Sequence, residues 1–270
     1  MSGLNETHLQ RHGLTTPENH ITGFKEEITR AEAASKDTFF GWFNNSDDAD
    51  AAFAEGVWDF DAHIGQPLKD IYGPLDNLKA LEIGYGGGRL IAAAAERFNS
   101  VIGVDIHHHR ERVETELKQR GIENFQLLES DGKTLPLEDG SVDIVYSFVV
   151  LQHVQFIDIF NQYLAETARV LKPGGHGVLY YGRFHRFSVN TTSKLRYMLD
   201  RWIEPLALRG RYRELDAAIN STNLRVHPGY VAAQARRLGL RVCATLPSKR
   251  NTPSGPWRYG RQHGVVLSKP

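Results

Sequence analysis

The fold is decided by the stretch Leu81-Glu82-Ile83-Gly84-Tyr85-Gly86-Gly87-Gly88, in which a short apolar run ends in a glycine-rich turn. A helix-forming segment, residues 89–97, follows at once. In an open α/β sheet, ligands bind in the crevice at the carboxyl ends of the strands, and glycine there lets the backbone approach a ligand closely. This strand, turn and helix therefore predict a ligand site over residues 84–88.

Apolar runs and helical patterns alternate along most of the chain. Strands are predicted at residues 80–84, 101–106, 125–128, 142–148, 178–181, 240–246 and 264–268, and helices at 89–97, 110–120, 157–171 and 228–238. Strands that alternate with helices pair in parallel through right-handed crossovers. We therefore predict an α/β fold, a doubly wound, Rossmann-like, seven-stranded and mostly parallel sheet with an N-terminal helical arm and a helical cap insert.

Two segments lie outside this alternation. Residues 1–76 are predicted to form an arm, mobile over residues 1–24, and a helical cap, whereas residues 77–270 form the main domain with a cap insert at 183–227. The N-terminal cap is unusually aromatic, with Phe39, Phe40, Trp42, Phe43, Phe53, Trp58 and Phe60. Such a cluster has to bury itself. It would pack on the main domain, form a wall over a substrate pocket, or do both.

Composition excludes several classes of protein. The chain has 270 residues, 41% of them hydrophobic and 10% aromatic, which is typical of a globular protein and not of a disordered or fibrous one. The apolar run at 142–154 is interrupted by polar residues and is too short to span a bilayer. With Cys243 as its one cysteine, the chain forms no internal disulfide and no thiolate metal cluster. The N-terminus lacks a secretory signal, so we expect a cytoplasmic protein.

The balanced net charge hides an asymmetry. Residues 1–182 carry 15 basic and 28 acidic side chains, whereas residues 183–270 carry 17 basic and 4 acidic ones. The basic part could meet an anionic substrate or a phosphate. Alternatively, the acidic part packs against the basic part, because charges that are segregated in sequence can be intermixed in space.

Asp105 ends the second predicted strand, 21 residues after Gly84, where a carboxylate can accept hydrogen bonds from both ribose hydroxyls of a nucleoside. These features would also suit a nicotinamide dinucleotide. The glycine spacing argues against that alternative, because a dinucleotide site needs Gly-x-Gly-x-x-Gly and the third position is Arg89 or Ile91 here.

The segment 82–88, with Glu82 two residues before the first glycine, resembles the Glu/Asp-x-Gly-x-Gly-x-Gly signature of class I S-adenosylmethionine-dependent methyltransferases. The resemblance continues through residues 101–105, 130–132, 142–147 and 169–175, in the order of that family. It implies that residues 77–270 form an S-adenosylmethionine-binding domain. It also implies cofactor contacts from Glu82, Gly84 and Gly86 to the aminoacyl part, from Asp105 to the ribose, and from Asp131 and Gly132 near the adenine.

Methyl transfer to a hydroxyl is helped by a base that takes the hydroxyl proton during attack. In the layout of the family, His153 lies after the fourth strand and close to the reactive methyl group, so it is the first candidate for that base. A residue that only shapes the pocket is the alternative for His153. His185, after the fifth strand, is the second candidate base.

The acceptor is expected to be a hydroxyl of a small molecule. Amino-group methyltransferases of the family carry an Asn-Pro-Pro-Tyr type sequence after the fourth strand, and residues 147–150 read Ser-Phe-Val-Val here. Aromatic rings of the N-terminal cap and the arginines of the insert suit a saccharide, so a sugar or oligosaccharide, including mannosides, is the predicted acceptor. A lipid, phenolic or polyketide-type hydroxyl is the alternative.

Metal ions and other partners are less clearly indicated. His107, His108 and His109 point in different directions and do not compose a metal site by themselves, and His107 could instead edge the adenine. Mg²⁺ stays a candidate cofactor, because some sugar methyltransferases use a divalent cation to hold the acceptor hydroxyl. No nucleic-acid recognition module is visible, and the oligomeric state is not predicted.

Two functions of other classes remain open at this point. A nicotinamide-binding oxidoreductase would share the doubly wound fold but not the glycine spacing. A non-catalytic scaffold would bind the cofactor through Gly84, Gly86 and Asp105 without transferring a methyl group.

Overall fold

The computed structural model describes residues 24–43, 48–216, 218–252 and 255–270. Most of the predicted mobile arm, residues 1–23, lies outside this part of the chain. Nine helices are described there: α1 Phe24–Ala34, α2 Lys36–Trp42, α3 Ala49–Phe60, α4 Gln66–Tyr72, α5 Arg89–Ala95, α6 Arg110–Gln119, α7 Ile157–Val170, α8 Lys194–Ala207 and α9 Pro228–Arg237. A π-helical turn, Asp61–Gly65, joins α3 to α4.

Seven strands form one sheet in the order β3-β2-β1-β4-β5-β9-β8. They are β1 Lys79–Ile83, β2 Ser100–Asp105, β3 Phe125–Glu129, β4 Val142–Ser147, β5 Leu171–Gly182, β8 Arg241–Arg250 and β9 Arg258–Ser268. β1 to β5 pair in parallel, whereas β9 runs antiparallel to both β5 and β8. The predicted mostly parallel, seven-stranded, doubly wound sheet is therefore confirmed.

Three strands extend beyond their predicted bounds, because backbone pairing continues past the apolar residues. β5 starts at Leu171 rather than at residue 178: Gly174 donates its N–H to the Lys269 carbonyl at 2.8 Å, and Lys269 returns an N–H to Gly175 at 2.9 Å. The segment 171–175, between the predicted helix 157–171 and the predicted strand 178–181, is therefore the start of a strand. β8 and β9 continue as a hairpin through polar residues, with Lys249 opposite Tyr259.

The insert at 183–227 combines a helix with a small separate sheet. It contains α8 and two short antiparallel strands, β6 Tyr212–Glu214 and β7 Leu224–Val226. β7 is tied to the main domain because the N–H groups of Asn223 and Leu224 both donate to the Gln152 carbonyl. The insert thus lies beside the segment that follows β4.

The N-terminal helices and the sheet share one hydrophobic core. The aromatic residues Phe39, Phe40 and Phe60 are almost fully buried in it, together with the apolar faces of β1 and β4. The first residues of β1 to β4 and the helices between them follow the predicted pattern. The domain boundary at residue 76 stays a prediction, since α1 to α4 pack on the sheet without a separate core of their own.

Candidate functional site

A cavity lies at the carboxyl ends of β1, β2 and β4. The glycine turn after β1 and the residues that follow β4 form its floor, and the N-terminal helices α1 and α2 form an aromatic wall. Its polar side chains are Glu82, Arg89, Asp105, His153 and Asn220. This is the crevice in which ligands of open α/β sheets bind.

The glycine turn is closely covered. Gly84 has a φ of 81° and Gly86 a φ of 52°, both in the left-handed region that favours glycine. A Cβ atom at Gly84 would overlap Val150 Cγ2, and one at Gly86 would lie 2.7 Å from Phe43 Cδ1. Side chains at these positions would therefore strain the backbone and also fill the cradle.

Asp105 fixes the turn from the adjacent strand. Its Oδ2 accepts the Gly86 N–H at 2.7 Å and its Oδ1 accepts the Ile106 N–H at 2.7 Å. Each carboxylate oxygen has a second lone pair, so the group can still accept hydrogen bonds from a ligand. Asp105 also lines the cavity, and its role as a ribose ligand stays a prediction.

His107 supports the same turn from below. It is 1% exposed, its Nδ1 accepts the His109 N–H at 3.2 Å, and its Nε2 therefore carries the proton and donates to the Gly86 carbonyl at 3.0 Å. His107 is not among the residues that line the cavity. In this arrangement it holds the glycine turn.

Glu82 is a buried carboxyl group on the cavity floor. It is 2% exposed and accepts the hydroxyl of Tyr146 at 3.1 Å. Burial raises the pKa of Glu82 to about 8, although Tyr146 and the cation of Arg89 lower it in part. A cation placed in the cavity would stabilise the ionised form of Glu82.

Arg89 begins helix α5 directly after the turn and brings a positive charge to the same cavity. Its Nη1 donates to Oδ2 of Asp59 at 2.6 Å, and both side chains are buried. Burial raises the pKa of Asp59, and Arg89 counteracts that shift. The cavity is therefore lined by the carboxyl groups of Glu82 and Asp105 and by the Arg89 guanidinium, and the pairing of Glu82 with Arg89 suits a zwitterionic amino-acid group.

The aromatic wall contains Phe24, Ile28, Trp42 and Phe43. The Phe24 and Trp42 rings meet edge to face, with centroids 5.7 Å apart, and Phe43 lies against the backbone of the glycine turn. Both predicted uses of the aromatic cluster are present. Phe39, Phe40 and Phe60 pack in the core, whereas Trp42 and Phe43 form a wall of the cavity.

His153 lines the cavity with both ring nitrogens bonded to protein. Its Nδ1–H donates to the Ser221 carbonyl at 2.6 Å, and its Nε2 accepts the side-chain amide of Gln152 at 3.1 Å. Burial lowers the pKa of His153 to about 4. The ring is therefore neutral near pH 7, weakly basic, and tied to the insert through Ser221.

The other predicted site residues lie outside the cavity lining. His185 is half-buried, and burial together with Arg225, Arg183 and Arg261 lowers its pKa to about 4. Asp131 is exposed and caps its own turn, since Oδ1 accepts the N–H groups of Lys133 and Thr134. Gly132 is buried next to it. Their predicted roles toward base catalysis and adenine stay predictions.

An electrostatic effect relates Asp131 to Asp105, which lines the cavity. Burial raises the pKa of Tyr163 first, and the negative charges of Asp105 and Asp131 raise it further. Both carboxylates therefore lie near the same tyrosine, at the edge formed by β2 and β3.

The described residues provide no set of ligands for Mg²⁺, the candidate metal cofactor. Among the residues that the structure describes, no group of three or more His, Cys, Asp or Glu side chains is arranged to hold a metal ion. His108 instead contacts Glu129 at the surface. In the same part of the chain, no helix is both long and apolar enough to cross a membrane.

Sequence reasoning missed several residues of the cavity, among them Phe24, Arg89, Val150 and Asn220. Arg89 occupies the position that excluded the dinucleotide pattern, and this was the one available sign that a cation follows the turn. Phe24 and Asn220 are distant in sequence, so only the packing of α1 and the insert brings them to the cavity.

Residues 81–179 match the family model described as a methyltransferase domain. The chain is 42% identical over 106 residues to an uncharacterized 37.1 kDa protein in transposon TN4556 of Streptomyces fradiae, covering 37% of this chain and 29% of that protein. It is 31% identical over 102 residues to the ubiquinone biosynthesis O-methyltransferase of Bartonella tribocorum, covering 38% and 40%. The chain spans only 25% to 53% of the length of such curated relatives.

Solved structures share the fold. An S-adenosylmethionine-dependent methyltransferase from Aquifex aeolicus superposes with a TM-score of 0.51 at 13% identity, over 80% of this chain and 97% of that one. The [4+2]-cyclase SpnF superposes with a TM-score of 0.52 at 14% identity, over 82% of each chain. The chain therefore shares the fold of these solved structures, and this fold by itself does not determine the reaction.

Proposed function

We propose that this protein is an S-adenosylmethionine-dependent methyltransferase that acts on a hydroxyl group. The observation that carries the proposal is the union, in one cavity, of the glycine turn with Glu82 and Asp105 from the ends of neighbouring strands. The methyltransferase domain matched at 81–179 supports the same conclusion.

The residues present fit the cofactor. Asp105 would accept hydrogen bonds from the ribose hydroxyls, Glu82 would pair with the ammonium group, and Arg89 would pair with the carboxylate. Gly84 and Gly86 carry no side chains, and a Cβ atom at either position would overlap Val150 or Phe43 beside the turn. Asp131 and Gly132 are proposed to lie near the adenine amino group.

When bound, the cofactor supplies a methyl group on a sulfonium sulfur that is activated for displacement. Transfer to the acceptor oxygen would break the sulfur–carbon bond and leave a thioether, and the hydroxyl proton would pass to a base such as His153 or to water. The task of the chain is to position the acceptor and to exclude water, which the wall of Phe24, Trp42 and Phe43 is suited to do.

His153 is proposed to orient the acceptor beside this wall. Base catalysis by His153 is the alternative role to be tested. Its tie to Ser221 lets the insert hold the ring in place. A base with a pKa near 4 is deprotonated at neutral pH but accepts a proton weakly. His185 is the second proposed base, and the acceptor would have to extend beyond the cavity to reach it.

A sugar or oligosaccharide hydroxyl is the proposed acceptor, supported by aromatic rings beside the cavity and by the arginines of the insert. The apolar lining, with Ile28, Leu90, Ile106 and Val150, favours a lipid or phenolic hydroxyl as the second candidate. A cytoplasmic location is part of the same proposal.

Calorimetry with S-adenosylmethionine, S-adenosylhomocysteine and NAD tests cofactor identity. Both sulfur nucleosides should bind and NAD should not. Asp105→Ala should weaken binding by about tenfold or more, because it removes an ionised hydrogen-bond acceptor. Asp76→Ala, at an exposed loop position, is the matched control and should leave binding unchanged.

Label transfer from methyl-labelled cofactor tests the reaction itself. A panel of sugars, oligosaccharides, lipids and phenolics should show transfer to one class of hydroxyl, with and without EDTA. Binding of the cofactor without transfer to any acceptor would favour the scaffold alternative, and binding of NAD alone would contradict the proposal.

A further inference from the structure

Helix α8 of the insert is packed with its polar side inward. Its residues Lys194–Ala207 are amphipathic, but the buried side chains are the carboxylates Asp200 and Glu204. Its apolar side faces solvent, with Leu195 72%, Trp202 75% and Leu206 83% exposed. Surface helices of globular proteins normally bury their apolar face and expose their polar face.

Ionic and hydrogen-bonded contacts hold the polar side to the protein. Asp200 accepts the backbone N–H groups of Phe187 and Ser188 and the hydroxyl of Ser188. Glu204 pairs with His263 on β9 at 3.0 Å and also accepts from Arg201. Both carboxylates are 0% exposed. The orientation of α8 is therefore fixed by buried polar contacts, and its apolar side is free.

The exposed apolar residues form one continuous stripe. Leu195, Met198, Leu199, Trp202 and Leu206 follow the spacing of a single helix face. Met198 and Leu199 are themselves 42% and 39% exposed. No described residue covers this stripe. Contiguous exposed apolar surface of this kind marks an interaction site.

Charge decides which partner suits the stripe. Between residues 183 and 211 the carboxylates are Asp200 and Glu204, which are buried and paired. Five cations of the same segment are exposed: Arg186, Lys194, Arg196, Arg209 and Arg211. None of the five has an ion pair with a described carboxylate. Within residues 183–211 the exposed charged side chains are therefore all positive.

We propose that α8 docks the protein on an anionic phospholipid bilayer, with the stripe Leu195, Trp202 and Leu206 in the interface and the flanking cations at the headgroups. A helix with leucine and tryptophan on one face and lysine and arginine beside it is suited to lie in that plane. Two copies of this positive face would repel each other. Nucleic acid would satisfy the cations but not the apolar side chains.

Vesicle sedimentation with the full chain tests the docking. Vesicles of phosphatidylcholine and phosphatidylglycerol should bind the protein, whereas vesicles of phosphatidylcholine alone should bind it at least about tenfold more weakly, and added salt should weaken binding. The double variant Trp202→Ser/Leu206→Ser should lose about tenfold or more of the vesicle affinity. Ile71→Ser, which replaces an apolar side chain that is 42% exposed on α4, is the matched control and should bind like the wild type.

A second readout reports on Trp202 itself. Brominated lipid should quench part of the fluorescence of the wild type, and this part should be missing in Trp202→Phe. In buffer alone, acrylamide should quench the same part readily, because Trp202 is exposed. Protection of Trp202 from acrylamide in buffer would mean that residues 1–23 or another segment covers the stripe, and would overturn the proposal.

The remaining outcomes are also decisive. Equal binding of wild type and double variant to anionic vesicles, or no binding by either, would overturn the docking proposal. A dimer in solution that the double variant abolishes would assign the stripe to a second copy instead. Calorimetry with S-adenosylmethionine on the same variants should show unchanged affinity, so that failure of the docking proposal stays separate from failure of the methyltransferase proposal.

Discussion

The glycine turn at 84–88 and the insert at 183–227 represent two opposite kinds of region. Around the turn, several polar groups have a partner inside the protein: Asp105 accepts the Gly86 N–H, His107 donates to the Gly86 carbonyl, and Tyr146 donates to Glu82. In the insert, the buried face of α8 carries charge and the exposed face carries leucine and tryptophan. The glycine turn has a fixed backbone conformation, which suits a ligand site. The second is built to present a surface.

The difference teaches that an amphipathic pattern does not itself say which face is inside. α7 and α8 both have 14 residues and both are amphipathic, yet α7 buries Phe160 and Leu164 whereas α8 exposes Trp202 and Leu206. The carboxylates Asp200 and Glu204 find donors in the protein, which reverses the usual orientation.

The largest effect is expected at the cradle. Gly84→Ala should lower cofactor affinity by more than about a hundredfold and destabilise the fold by about 2–4 kcal/mol, because it adds backbone strain and an overlap with Val150. Calorimetry and denaturant unfolding measure the two effects. Gly121→Ala is the control, since Gly121 has a similar φ of 77° but open space around it. Equal cofactor affinity in both variants would show that the glycine turn does not form part of the cofactor site.

The next effect concerns His153, which lines the cavity beside the glycine turn and is bonded to Ser221 of the insert. His153→Ala should lower kcat by about a hundredfold and leave cofactor affinity intact. The reason is that the ring, which Gln152 and Ser221 hold in place, positions the acceptor. The factor should be the same from pH 6 to pH 9, since the pKa of His153 lies near 4. His108→Ala, at an exposed histidine, should have no effect. A limb of the wild-type pH profile that disappears in His153→Ala would instead identify His153 as the base.

The pH dependence of cofactor binding probes Glu82. The pKa of this carboxyl is raised to about 8 in the free protein, and a bound ammonium group should lower it. Binding should therefore release a proton, and affinity should rise by up to about tenfold per pH unit between pH 6 and pH 7.5. Calorimetry in buffers of different ionisation enthalpy measures both. In Glu82→Gln the slope and the proton release should vanish; their persistence would show that another group titrates.

The smallest effect sharpens the contrast within the insert. Leu206→Ala should change the free energy of unfolding by no more than about 0.5 kcal/mol, because Leu206 is 83% exposed. Leu224→Ala, in β7 of the same insert, should cost about 2–5 kcal/mol, because Leu224 is fully buried. Urea unfolding compares the two. A large loss of stability in Leu206→Ala would mean that the stripe is covered within the protein.

Most of the sheet could be predicted from the sequence, because apolar runs between helical patterns report burial directly. β1 to β4 and α5 to α7 lie within a few residues of their predicted bounds. β5, β8 and β9 were underestimated, since their polar ends are held by backbone pairing that side-chain pattern does not record. β6 and β7 were missed because three residues are too few to show a period.

The candidate site divides in the same way. Glu82, Gly84, Gly86, Asp105 and His153 line the cavity, and each lies at the end of a predicted strand or just after it. Phe24, Val150 and Asn220 join them from segments that are distant in sequence or carry no polar signal. The positions of Asp131 and His185 outside the lining depend on how the loops fold, which strand ends do not specify.

By itself, the sequence determined the order of strands and helices, the glycine turn and the carboxylates at its edge, because these depend on local conformation and on burial of whole segments. Only the tertiary structure decided that His153 is bonded at both ring nitrogens and that Arg89 donates to Asp59. It alone also decided that α8 exposes its leucines. These outcomes depend on partners far away in the chain. A buried charge is stable only where such partners meet it, and no local pattern says where that is.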